Sequence, residues 1–244
     1  MMVDWKAVRA DFMLQPGAVY LNGGTFSALP RPVYEAQIRL MAAGELDPTM
    51  IACRRRGAPL WGTQRRMAAY LGCAPEDLIF HFNVTQALNQ AIFCFDWPSQ
   101  GEFLVSDLEY GAIVHAVREM ARRRGLTVRV FPLPCNPRSE TDVVDAVTAA
   151  LSPDTVGILV SHVVSSNGLL VPVERIAPRL RERGVTFLVD GAHAPGLVPL
   201  NLGASGIDFY GGNLHKWFMG PKSTAFLYVD RALQRRMRPH IVGW

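Results

Sequence analysis

Lysine is scarce in this chain, and long apolar runs are missing. Only three of its 25 basic residues are lysines, Lys6, Lys216 and Lys222, so chemistry that needs a primary amine has few candidates. No apolar stretch reaches the roughly 20 residues that a membrane-spanning helix requires. The first residues carry charges throughout and do not resemble a secretory signal peptide. We therefore expect a cytoplasmic protein with no membrane partner.

Metal-binding cysteine patterns are lacking as well. The chain has four cysteines, none in C-x-x-C spacing: Cys53, Cys73, Cys94 and Cys135. This spacing, without a signal peptide, argues for reduced thiols and against a zinc site or a disulfide framework. We expect no metal.

Neither sign of charge dominates. The 25 basic and 21 acidic residues leave a net charge of +4, and the arginines fall in short scattered groups, for example at residues 54–56 and 122–124. Such groups are typical of solvated helix faces. No binding motif with interleaved aromatic residues accompanies them, so nucleic acid is not an expected partner.

Short apolar runs alternate with amphipathic stretches along the 244 residues. The composition, 49% hydrophobic and 19% charged, allows one large α/β domain or two small ones. The runs are continuous rather than alternating in polarity, which is typical of strands covered by helices on both faces. They lie at residues 78–82, 102–105, 127–131, 157–160, 186–189, 209–210 and 224–229. Helical spacing marks residues 110–123 and 173–183, with Gly184 as the C-cap of the second helix.

This alternation predicts a doubly wound, mostly parallel seven-stranded sheet flanked by helices. In such sheets ligands bind at the carboxyl ends of the strands, so the residues after each strand are the candidates for chemistry. No G-x-G-x-x-G follows the first clear strand, which argues against a nucleotide-binding Rossmann protein.

Three strand ends allow a structural and a functional interpretation. Thr85 follows the first strand and either caps a helix or helps a helix N-terminus to bind phosphate; the residues favour neither. Tyr110 follows the second strand, and on residue type alone core packing is favoured over stacking on a planar ligand. His162, in a small polar loop after the fourth strand, is expected to be a core residue.

Two further strand ends are more informative. Asp190 ends an apolar run, and a buried carboxylate is costly unless it is paired. It either caps the following segment or partners a cationic group of a ligand. Lys216 lies in a Gly-rich, apolar context beside Leu214 and Trp217. Such burial lowers the pKa of a lysine and makes it a usable nucleophile; the alternative is a snorkelling surface lysine, an alternative that also stays open for Lys222.

Taken together, these stretches resemble the class V aminotransferase family, pyridoxal-phosphate (PLP) enzymes of fold type I that include cysteine desulfurases and isopenicillin N epimerase. The motifs that carry the resemblance are Asp-Gly-Ala-His beginning at Asp190 and Asn-Leu-His-Lys ending at Lys216, which follows Asp190 by 26 residues. Further motifs fall in the family's order, and the resemblance runs from Tyr20 to the end of the chain.

The resemblance implies a role for each site residue. Lys216 forms the internal aldimine with PLP, and Asp190 pairs with the pyridine nitrogen, which makes the ring an electron sink. Tyr110 stacks on the ring, which reverses the preference for core packing, and His193 lies near the phenolic oxygen. Lys216, Asp190 and Tyr110 are thus the implied catalytic residues.

The resemblance also implies a phosphate site at the start of the helix after the first strand. Thr85 and the backbone beside it, at Val84 and Gln86, hold the cofactor phosphate together with His215. Asn213 lies at a neighbouring position of the phosphate loop.

Four positions favour the epimerase-like branch of the family. Cysteine desulfurases usually have His in place of Tyr110, Gln in place of His193, Asn in place of Ser165 and Ser in place of Asn213. The epimerase-like branch resembles this chain at all four, and Ser165 is counted among the cofactor-binding residues.

The implied activity is a PLP-dependent reaction at the α-carbon of an amino acid or a derived amine. The substrate amine displaces Lys216, which then acts as a base at the α-carbon. Epimerisation, transamination and C–S cleavage all stay open, because the outcome depends on the residues that position the substrate. The family is typically homodimeric, so the resemblance implies a homodimer.

One departure concerns length. Family members usually continue well past the lysine and build a small C-terminal domain. We therefore expect an N-terminal segment at residues 1–20, a PLP-binding large domain at 21–235 and the start of a truncated C-terminal segment at 236–244. The alternative to an active enzyme is a catalytically inactive PLP-binding or structural remnant.

Overall fold

A seven-stranded sheet forms the centre of the computed structural model, which describes residues 2–48 and 57–239. The strands are β1 Leu78–His81, β2 Glu102–Ser106, β3 Thr127–Phe131, β4 Thr155–Ser161, β5 Thr186–Asp190, β6 Phe209–Asn213 and β7 Ala225–Val229. Their order is β1-β7-β6-β5-β4-β2-β3, and β7 runs opposite to the other six strands. The predicted mostly parallel sheet is confirmed. Cys53, the arginines at 54–56 and residues 240–244 lie outside the described residues.

Helices cover both faces of the sheet. The α-helices of the described residues are α1 Trp5–Ala10, α2 Arg31–Leu46, α3 Gly57–Leu71, α4 Val84–Cys94, α5 Gly111–Arg124, α6 Glu140–Ala150, α7 Val173–Arg181 and α8 Leu202–Ser205. Helices α1 and α2 bury no residue, so α3 to α8 are the ones that cover the sheet. Within the described ranges, none of them is both long and apolar enough to span a membrane.

The core consists of two apolar layers, one on each side of the sheet. Along β5, Phe187 and Val189 pack in the layer that contains α6 and α7, whereas Leu188 packs in the layer that contains α4 and α5. Successive side chains of a strand point to opposite faces, so a strand buried on both sides needs apolar residues throughout. This requirement explains the continuous apolar runs of the sequence.

The end of α7 follows the predicted glycine signal. Gly184 has a φ of 67°, its N–H donates to the Arg181 carbonyl, and the N–H of Val185 donates to the Leu180 carbonyl. This pair of bonds is a Schellman motif with glycine in the left-handed position. The regular helix nevertheless ends at Arg181, two residues earlier than predicted. The last turn is closed by a hydrogen bond from the Arg183 N–H to the Leu180 carbonyl, three residues back rather than the four of an α-helix.

The carboxyl end of β5 depends on a glycine for close packing. A Cβ on Gly191 would overlap the ring of Tyr210, which is fully buried. We expect Gly191→Ala to destabilise the fold by about 1–3 kcal/mol, because a packed core resists added volume. Gly62→Ala is the matched control: it lies within α3 with open space around it, and alanine there should gain about 0.5–1 kcal/mol. Urea unfolding of both variants tests this, and equal midpoints would contradict it.

Candidate active site

A cavity of about 470 Å³ lies at the carboxyl ends of the parallel strands. Strands β4, β5 and β6 end at Ser161, Asp190 and Asn213, which all line it. Every predicted site residue except Gln86 also lines this cavity: Val84, Thr85, Tyr110, Ser165, Asp190, His193, Asn213, His215 and Lys216. Residues up to 132 positions apart in the chain, Val84 and Lys216, thus meet where the strand-end rule for parallel sheets places a ligand.

Gln86 is placed elsewhere. Its backbone N–H donates to Asn83 Oδ1 at 2.8 Å, and its side-chain Oε1 accepts from the Phe82 N–H at 3.3 Å. It lines a second, more apolar cavity together with His81 and Leu214. The backbone N–H and the side-chain Oε1 of Gln86 are therefore both used by protein partners, and the residue does not line the first cavity.

The N-terminus of α4 is built by two asparagines. Asn83 is the N-cap, so the interpretation of Thr85 as the helix cap is wrong. Asn213, at the end of β6, accepts the Val84 N–H through Oδ1 at 2.9 Å. Among the described residues none accepts the N–H of Thr85, which lines the cavity. An unpartnered N–H at the positive end of a helix is a ready anion site.

Asp190 is 3% exposed. Its Oδ1 accepts the Ala192 N–H at 2.9 Å, within a turn rather than a helix, so the helix-cap interpretation is wrong. Burial raises the pKa of Asp190, while the Ala192 bond and the charge of Lys216 oppose the rise. In the described part of the chain no basic side chain forms an ion pair with it. The carboxylate is therefore suited to a cationic group of a ligand.

Lys216 is half-buried, and its amine contacts the ring of His193 within the cavity. The Nζ atom lies 2.9 Å from Nε2 of His193, and the Trp217 indole donates to Nδ1 of the same ring at 3.1 Å. Burial lowers the pKa of Lys216, and the nearby Asp190 opposes this. Burial and, second, the Lys216 charge lower the pKa of His193 to about 4, so the ring is neutral at physiological pH. The snorkelling interpretation of Lys216 is wrong.

Tyr110 is not a core residue. It directly precedes α5, lines the cavity and keeps 56% of its surface exposed. The core-packing interpretation from residue type is therefore wrong. An aromatic ring exposed at a cavity offers a face on which a planar ligand can stack.

The loop that contains residues 22–27 closes one side of the cavity. The Ser27 N–H donates to the His215 carbonyl at 2.9 Å, and the Phe26 ring lies 4.9 Å from the His215 ring between centroids. Lys222 donates to the Ser27 carbonyl at 2.8 Å, so this lysine holds the loop. The family resemblance, which begins at Tyr20, includes this segment but implies no role for it in the site.

His215 has a defined proton on one side. Its Nδ1 lies 3.1 Å from the Thr224 carbonyl oxygen, which can only accept a hydrogen bond, so Nδ1 carries a hydrogen. The Nε2 atom takes no part in this bond. Burial lowers the pKa of His215, and the Thr224 bond opposes this.

Sequence reasoning also missed a carboxylate that is bonded to Ser161, a residue that lines the cavity. Glu109 accepts from the backbone N–H of Ser161 at 2.9 Å and from its hydroxyl at 2.6 Å, which links the ends of β2 and β4. Burial raises the pKa of Glu109 to about 7. Nothing in the local sequence signals the Glu109–Ser161 pair, because the partners are 52 residues apart. His162, by contrast, is buried against the Tyr210 hydroxyl at 2.9 Å, which confirms it as a core residue.

Comparison with known proteins agrees with this arrangement. The family model described as aminotransferase class-V matches residues 55–243. Isopenicillin N epimerase of Amycolatopsis lactamdurans is 40% identical over 98% of this chain. That of Streptomyces clavuligerus is 35% identical over 100% of this chain. The chain spans 61% of the length of each of these relatives. A solved structure of a C-DES mutant with glycine covalently linked to PLP has a TM-score of 0.89 at 27% identity, covering 97% of this chain and 63% of that one. The chain belongs to the aminotransferase class-V family.

Proposed function

We propose that this chain binds PLP in the 470 Å³ cavity and uses it at the α-carbon of an amino acid or a derived amine, as an epimerase-like enzyme. The observation that carries the proposal is that one cavity unites a lysine amine, a buried carboxylate and a helix N-terminus. These three features complement the three recognisable groups of PLP: an aldehyde, a pyridine nitrogen and a phosphate.

The donor set fits the cofactor in both size and chemistry. The cavity volume falls within the roughly 300–1,000 Å³ of small-molecule sites. Lys216 would hold the aldehyde carbon covalently, and Asp190 would keep a proton on the pyridine nitrogen. The phosphate would bind at Thr85 and the start of α4, with His215 beside it. The exposed ring of Tyr110 would stack on the cofactor.

When bound, PLP supplies an electron sink for negative charge that develops at the α-carbon. The chain contributes the proton handling. The Asp190 carboxylate is buried, and in such a low-dielectric environment its attraction for a proton on the pyridine nitrogen would be stronger than in water. Lys216 Nζ, when it is not bonded to the cofactor, would serve as the base for the α-proton.

The epimerases to which the chain is similar support this activity over the other family reactions. Because the chain spans 61% of their length, the activity of the whole proteins is part of the proposal. The homodimer that the family resemblance implies is likewise part of the proposal. Cofactor binding without catalysis is the second candidate, and the same experiment separates the two.

The test is exchange of the α-proton in D₂O. We expect PLP-loaded protein to exchange the α-proton of amino acids at least about 100-fold faster than free PLP at the same concentration, because positioned bases contribute that much. Proton NMR follows the exchange, and chiral chromatography follows inversion. Exchange with inversion supports the epimerase-like activity. PLP binding without exchange favours the second candidate, and a protein that fails to bind PLP contradicts both.

A further inference from the structure

His193 lies between two nitrogen atoms that constrain where its proton sits. The Trp217 Nε1 lies 3.1 Å from His193 Nδ1, and the Lys216 Nζ lies 2.9 Å from His193 Nε2. An indole nitrogen only donates, so Nδ1 must accept. A neutral imidazole carries one proton, which then sits on Nε2.

The position of that proton determines the state of the lysine. An Nε2–H group donates, so Lys216 Nζ can complete the 2.9 Å bond only with its lone pair. An ammonium group has no lone pair and accepts nothing. The hydrogen-bond pattern therefore requires Lys216 as a free amine whenever the Trp217 bond is present.

The Trp217 ring is held by close packing rather than by its hydrogen bond alone. A Cβ on Gly23 would lie 2.8 Å from Trp217 Cζ3, and one on Gly24 would lie 3.3 Å from His193 Cε1. On the other side a Cβ on Gly196 would lie 2.5 Å from the Trp217 carbonyl oxygen. The glycines let both backbones approach the Trp217–His193 pair, which leaves the indole little freedom to turn away.

Burial disfavours the charged form of both members of the Lys216–His193 pair, and among the neighbouring charged groups Asp190 opposes this at Lys216. Asp190 attracts a proton to Lys216, but burial outweighs it and the pKa of Lys216 is lowered. Burial, the larger of its two causes, lowers the pKa of His193 whether or not Lys216 is charged. Tyr110 and His215 line the same cavity.

We propose that Trp217 is a positioning residue that selects the Nε2–H tautomer of His193 and thereby keeps the Lys216 amine unprotonated and nucleophilic. The inference rests on the proposed function, since the carbonyl that Lys216 would attack is the aldehyde of PLP. It concerns the protein before the cofactor binds, so it is tested without PLP.

The first test reads the tautomer directly. In cofactor-free protein labelled with ¹⁵N-histidine, long-range ¹H–¹⁵N spectra should show His193 with hydrogen on Nε2 only. His193→Asn assigns the signal by its disappearance. In Trp217→Phe, which keeps an aromatic ring but loses the indole N–H, the signal should move to an average of both tautomers. A wild-type spectrum with hydrogen on Nδ1 overturns the proposal without any variant.

The second test reads the lysine. Cofactor-free protein is treated with a small amine-acylating reagent over a range of pH, and mass spectrometry gives the rate at each lysine. We expect Trp217→Phe to slow acylation of Lys216 at neutral pH about tenfold, the equivalent of one lost hydrogen bond, with Lys222 unchanged in the same digest. Trp5→Phe, at an exposed position, is the control. Equal rates at Lys216 in wild type and Trp217→Phe would refute the proposal. Failure to bind PLP would leave these results untouched and would count against the proposed function alone.

Discussion

Replacing Lys216 with alanine should yield a folded protein that no longer holds PLP covalently and that loses roughly 10²–10⁴-fold of any α-proton exchange. The expected loss is large because one amine serves as both the covalent anchor and the base at the α-carbon. The visible absorption spectrum with PLP should lose the band of lysine-bound cofactor. Borohydride reduction of the wild type, followed by peptide mapping, should place the cofactor on Lys216.

The other two lysines serve as matched controls. Lys6→Ala removes an exposed lysine of α1 and should leave both the band and the exchange unchanged. Lys222→Ala removes the bond to the Ser27 carbonyl and should weaken cofactor binding without abolishing the band. A band of equal strength in Lys216→Ala and wild type would show that the anchor is assigned to the wrong residue.

Asp190→Asn is expected to reduce α-proton exchange by roughly 10²–10³-fold while making the cofactor-free protein more stable at neutral pH. The first effect follows because an amide carries no charge to keep a proton on the pyridine nitrogen. The second follows because burial raises the pKa of Asp190, and asparagine has the same shape without a charge to bury.

The pH dependence of stability has a defined sign. Because the folded pKa of Asp190 lies above the unfolded value of about 3.9, its favourable contribution is complete below that value and is lost as pH rises through the folded pKa. Asparagine does not titrate. The variant should therefore match the wild type in acid and exceed it increasingly towards neutral pH.

Thermal unfolding of the cofactor-free proteins between about pH 4 and pH 8 measures this difference. Asp154→Asn, which removes an exposed carboxylate, should stay within about 0.5 kcal/mol of wild type at every pH. If the curves of Asp190→Asn and wild type run parallel, Asp190 is not the buried, uncompensated charge described above. Added PLP should stabilise wild type more than Asp190→Asn.

The fold can be predicted from the sequence because a strand buried on both faces of the sheet is a continuous apolar run, which is easy to recognise locally. The run at β3 was predicted with its observed bounds, Thr127–Phe131, and the other strands within a few residues. Several strands extend past the predicted apolar runs, whereas β1 and β7 are each one residue shorter than predicted. Strand β6 continues beyond Tyr210 to Asn213, for example, because Gly211 and Gly212 pair with β7 although they offer no apolar side chain.

The candidate site was accessible in outline, because polar residues after apolar runs mark strand ends and parallel strand ends converge. The roles of individual groups were less accessible. The sequence allows Thr85 as a helix cap, whereas Asn83 caps α4 and Asn213 accepts the Val84 N–H from 129 residues away. The indole of Trp217 was considered only as an apolar neighbour of Lys216.

Strand and helix pattern, sheet type and the edge that carries the chemistry were thus encoded locally, since they depend on side-chain periodicity and burial along a few residues. Which nitrogen donates, which carboxylate lacks a counter-ion and which lysine is shielded from water depended on groups far apart in the chain. Asp190, His193 and Trp217 acquire their partners only when β5, β6 and the loop around Gly24 pack together. Protonation states follow from those partners and from burial, and neither exists before the chain has folded.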